Sequence, residues 1–81
     1  MTLPARLRWR CRRGTRELDV LLERFAEAHY TGLDPAGRAL FERLLDTEDD
    51  RLIDWLITGR ECPDDDALAR LVTDIRRIAG F

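Results

Sequence analysis

The side chains able to do chemistry are few and scattered. His29 is the sole histidine. A general base needs a nucleophile within reach and a group to orient it, and nothing here supplies a matched nucleophile or a second histidine. Its place near the end of a predicted helix suits a cation at a helix C-terminus instead. Cys11 and Cys62 are far apart in sequence and lack CxxC spacing; with one histidine they do not make four zinc ligands. The acidic runs Asp46 to Asp50 and Asp64 to Asp66 lack the alternating spacing of a calcium loop and fall where helix starts favour negative charge. No catalytic residue, metal site or Gly-rich phosphate cradle for a cofactor is expected.

What remains is a cluster of arginines. Arg6, Arg8, Arg10, Arg12, Arg13 and Arg16 lie in the first sixteen residues, with no acid among them. The rest of the chain holds eight arginines against all sixteen acids, so the formal charge of −2 joins a basic start to an acidic remainder. There is no lysine. The planar guanidinium fork suits carboxylates and phosphates, although G- and C-rich coding alone would also favour arginine throughout. The crowding at the N-terminus fits gripping another macromolecule, since mutual repulsion of the arginines costs stability unless a partner offsets it.

Eighty-one residues make one small domain, spanning residues 1–81. A chain of this size buries about 60–65% of the surface that it exposes when unfolded. Its stability is then on the order of 5 kcal/mol, with no room for an enclosed substrate cavity. The cysteines are expected to be free thiols in a reducing compartment. No apolar run approaches the roughly eighteen residues of a membrane span, and no signal-peptide core follows the basic start. A cytoplasmic protein without membrane insertion is expected, monomeric with at most weak pairing through one face.

These residues must be positioned by helices. Thr2-Leu3-Pro4 opens a first short helix carrying Leu7 and Cys11, with Gly14 as its left-handed cap. A second runs from about Thr15 to Tyr30 with the stripe Leu18, Leu21, Leu22 and Phe25, and Thr31-Gly32 stops it. Asp34-Pro35 starts a third, with Leu40, Phe41, Leu44 and Leu45 inward. Thr47 is the expected cap of a fourth, through Leu52, Ile53, Trp55, Leu56 and Ile57 to Gly59, with Trp55 a core residue. Asp64 to Asp66 start the last, through Leu68, Leu71, Val72, Ile75 and Ile78 to Gly80. The fold class is all-α: a small antiparallel bundle of about five short helices.

The candidate docking surface is the first bend, with Arg10, Arg13, Gly14, Arg16 and Glu17, and with Trp9 beside it. Local capping accounts for part of it: Arg13 suits a helix C-terminus and Glu17 a following first turn. Trp9 stays open between a ring packed inward and one stacked on an arginine. The rival use of the basic start is binding nucleic acid or another anion. Against it stands the acidic remainder, which would repel a duplex lying across the domain.

The run Leu7-Arg8-Trp9-Arg10-Cys11-Arg12-Arg13-Gly14-Thr15-Arg16-Glu17-Leu18-Asp19 resembles the signature of the SdhE family, the FAD assembly factors of succinate dehydrogenase. Its R-G-x-x-E hallmark falls on Arg13, Gly14 and Glu17. A second block from Arg43 to Leu56 is similar to the family's R-L-L…D…L…W-L pattern, and Phe25, Tyr30 and Leu33 fit between the two. The resemblance covers roughly residues 5 to 80. It implies a five-helix chaperone-like helper, not an enzyme, which promotes covalent attachment of FAD to a histidine of the succinate dehydrogenase flavoprotein subunit, and in some bacteria to fumarate reductase. It also implies that Arg13, Gly14 and Glu17 meet the flavoprotein, and that FAD is the client's cofactor and not one held stably by the helper.

Overall fold

A computed structural model describes residues 4–80; the expected start at Thr2-Leu3 lies outside them. Five helices and no strand occur among the described residues: α1 (Ala5–Arg10), α2 (Arg16–His29), α3 (Pro35–Leu45), α4 (Asp49–Leu52, continued by a π turn over Ile53–Ile57) and α5 (Asp66–Ala79). A 3-10 turn, Tyr30–Gly32, extends α2.

Local chemistry explains most of the ends. The Asp34 carboxylate accepts from the Gly37 N–H at 2.7 Å with Pro35 at the first helical position, so α3 begins where the sequence expects. Asp65 alone of its acidic run caps α5, accepting from the Ala67 and Leu68 N–H groups at 2.8 and 3.1 Å. Those bonds, led by the one from Leu68 and helped by Arg43, hold its carboxyl below the ordinary range. Gly80 closes α5 in the left-handed region at φ +90°.

Two expected caps are corrected. The helical residues of α1 stop at Arg10, with Cys11 as its C-cap, so Gly14 does not cap that helix. It keeps the left-handed conformation (φ +88°), but in the turn leading to α2. The N-cap of α4 is Glu48, not Thr47.

The core joins one stripe from each helix. Leu7 and Cys11, then Leu18, Leu22 and Phe25, meet Phe41 and Leu44, Leu52 and Leu56, and Ile75, all buried. Phe41 stands between Phe25 and Tyr30, with ring centroids 5.4 and 6.0 Å away. The π turn, closed by Thr58 N–H to the Ile53 carbonyl at 3.0 Å, spreads an unusually dense apolar run over a wide arc. Trp55 is buried, as the spacing predicts, while Ile53 and Ile57 are half-buried. Helix α5 packs against α2, α3 and the π turn.

Candidate functional site

The bend between α1 and α2 is held from two sides. The Asp19 carboxylate, in the first turn of α2, accepts the Arg13 backbone N–H at 2.5 Å. The Arg13 side chain crosses to the end of α3 and the loop before α4. Its Nε donates to Asp49 Oδ1 at 2.7 Å, one terminal nitrogen to the Leu45 carbonyl at 2.8 Å, and the other to the Thr47 carbonyl at 2.6 Å. The side chain is only 17% exposed. Arg13 therefore does not present its charge outward, as its place in the motif suggests; its donor fork is spent inside the chain. The loop carbonyls it binds would otherwise lack a donor, and that requirement, 32 to 36 residues away in sequence, turns the guanidinium inward.

Four of the other five arginines of the cluster are also matched, though nearer the surface. Arg6 pairs with Glu42 at 2.9 Å, Arg8 with Glu27 at 3.5 Å, Arg12 with Glu23 at 3.4 Å, and Arg10 with both Glu42 and Asp46. Glu42 is the hub, since its second oxygen accepts from the Tyr30 hydroxyl at 3.0 Å. The hydrogen bond from Arg6, then that from Tyr30, holds the Glu42 carboxyl below its usual range. Five arginines of the basic start are thus neutralised by carboxylates of the remainder within the fold. Of the six arginines, Arg16 has no ion pair among the described residues.

What the bend leaves to solvent is Gly14, Arg16 and Glu17, all exposed. A Cβ on Gly14 would meet nothing within 4 Å, so the surface there is open. Glu17 sits in the first turn of α2, again without an ion pair among the described residues. Trp9 is 76% exposed, which settles its ring outside the core. Of the residues read as a docking surface, Trp9, Gly14, Arg16 and Glu17 face outward, Arg10 is half-buried and Arg13 is committed inward.

The remaining candidates fall into structural places. His29 ends α2 with its ring 5.2 Å from Phe25. Both cysteines are free; Cys11 is buried, and burial pushes its thiol up to about 11, far from a reactive thiolate. Among the described residues no cluster of three or more histidines, cysteines or carboxylates could hold a metal ion, and no helix is long and apolar enough to cross a membrane. Fold and site together define a small all-α protein whose first interhelical bend leaves Gly14, Arg16 and Glu17 exposed. A model of the family described as flavinator of succinate dehydrogenase matches residues 5–79. The chain is 46% identical over 72 residues to the FAD assembly factor SdhE of Shewanella oneidensis, covering 89% of this chain and 87% of that one. It is 38% identical over 75 residues to that of Coxiella burnetii (93% and 90% covered), and 42% identical over 81 residues to that of Methylococcus capsulatus (99% and 95%). The chain belongs to this family, one of assembly factors and not of enzymes.

Proposed function

We propose that this protein is a cytoplasmic FAD assembly factor that docks on the flavoprotein subunit of succinate dehydrogenase and promotes covalent attachment of its FAD, a role extending to fumarate reductase where that enzyme is present. The observation that carries the surface assignment is the exposed Glu17, without an ion pair among the described residues, beside the open backbone of Gly14, in a chain whose other N-terminal charges are largely matched internally. Glu17 takes a cation or N–H donor of the client, Gly14 admits close approach, and Arg16 and Trp9 flank the contact. Arg10 and Arg13 act behind them, fixing the bend against α3 and α4.

Docking supplies binding free energy and neither protons nor electrons. Preferential binding of one arrangement of the client raises its population, and in that arrangement flavin and acceptor histidine are held for reaction. We read FAD as the client's cofactor: five of the six arginines of the basic start are matched with carboxylates and carbonyls in this chain, which leaves no cluster of free guanidinium groups there for a diphosphate. The same matching of Arg6, Arg8, Arg10, Arg12 and Arg13 favours docking over nucleic-acid binding, which draws on several free cations together.

The test is co-purification of the tagged chain with the flavoprotein subunit expressed beside it. Glu17→Ala, at an exposed position, is expected to keep its thermal unfolding midpoint and to lose the flavoprotein. Undiminished capture by this variant would overturn the surface assignment.

A further inference from the structure

An open groove of about 800 Å³ runs between α2 and α5. Phe25, Ile57 and Ile75 lie in its floor, and Val20 and Ile78 form its lips. Those two lips are 41% and 49% exposed, which with Trp9 makes them the exposed large apolar residues among those described. Arg16 and Glu17 line one part of the same groove, so it is continuous with the docking corner. Arg24 lies seven residues beyond Glu17 on α2, about 10.5 Å along the helix. None of these three charges has an ion pair among the described residues, unlike the five arginines before them.

An apolar trough rimmed by charge, of which Glu27 alone pairs within the described residues, with Arg8, has the anatomy of a binding surface: desolvated contacts at the centre and polar groups around them. We infer that this groove takes an amphipathic helix of the flavoprotein client, its apolar side on Val20 and Ile78, a cation facing Glu17 and a carboxylate facing Arg24. The inference rests on the docking reading above and extends it from a charged corner to a groove. Grooves between two helices bind helices in this way, through apolar anchors at one-turn spacing with charges fixing direction. A second copy of this chain fits poorly, because under a two-fold axis groove faces groove, and two concave surfaces do not fill each other.

The experiment is a titration of purified chain against flavoprotein subunit lacking covalent flavin, read by fluorescence anisotropy. Val20→Glu and Ile78→Glu, at half-exposed positions, are expected to weaken binding by about tenfold or more, as truncation of an interface anchor does. Should a glutamate unfold the chain, Val20→Thr and Ile78→Thr remove apolar contact with little change in shape, and the same direction is expected. Unchanged affinity in the groove variants alongside loss in Glu17→Ala would overturn the groove and leave the corner standing. Failure of the unmodified chain to bind would overturn both. Altered sedimentation of the groove variants with flavoprotein affinity unchanged would make the groove a contact between copies and would also overturn the inference.

Discussion

At Arg13 a single guanidinium binds the Asp49 carboxylate and the carbonyls of Leu45 and Thr47, while Glu17, four residues on, meets solvent. The two ends of the motif therefore act at different levels. Lysine has one point of charge and no fork, so Arg13→Lys leaves at least one of those carbonyls without a donor. The expected cost is about 2–3 kcal/mol, a large share of a stability on the order of 5 kcal/mol. Differential scanning calorimetry should show the midpoint falling by roughly 10–20 °C; an unchanged midpoint would return Arg13 to the surface. Glu42 gives a second test. Its carboxyl is held down by Arg6 and Tyr30, so its stabilisation is complete above the ordinary carboxylate value of about 4.3 and lost as pH falls through the depressed one. Urea unfolding of the unmodified chain and of Glu42→Gln should therefore differ at neutral pH and converge in strong acid. A gap independent of pH would contradict the sign. Of this site the sequence makes legible the motif and the exposed carboxylate, since both are local. The inward turn of Arg13 is not legible, because its acceptors lie more than thirty residues downstream.

Between α1 and α2 the chain bends through a left-handed glycine with open space where a side chain would be. An added Cβ there meets a backbone penalty of about 1–2 kcal/mol without any clash. Gly14→Ala and Gly14→Arg should thus lose similar stability, by roughly 5–15 °C in midpoint. Only the arginine should abolish co-purification with the flavoprotein, because only it fills the approach. Equal retention of the client by both would remove Gly14 from the contact. Element ends governed by a side chain and its own neighbours, such as Asp34-Pro35 and Gly80, are readable from sequence. The start of α4 shifts by one residue from the expected cap, and in the fold the Thr47 carbonyl is bound by Arg13. The π turn has no local signature beyond a crowded apolar run. The α2–α5 groove exists only once Val20 and Ile78, 58 positions apart in the sequence, are brought to line one surface.

Across the whole molecule, the basic start folds back onto part of the acidic remainder, and an arginine cluster that reads as a waiting phosphate surface is largely matched within the chain. Exposed pairs of this kind each contribute only about 0–1 kcal/mol, so their main effect is on partner choice. Arg16, Glu17 and Arg24, without ion pairs among the described residues, line the groove beside Gly14. Membership of a family of FAD assembly factors accords with the proposal that this surface acts by binding. The most direct test is the covalent flavin of the succinate dehydrogenase flavoprotein subunit, read as fluorescence of the denatured subunit from cells lacking this chain's gene. Restoration by the unmodified chain but not by Glu17→Ala is the predicted result. Full fluorescence in the deletion strain, or equal rescue by both, would contradict the account.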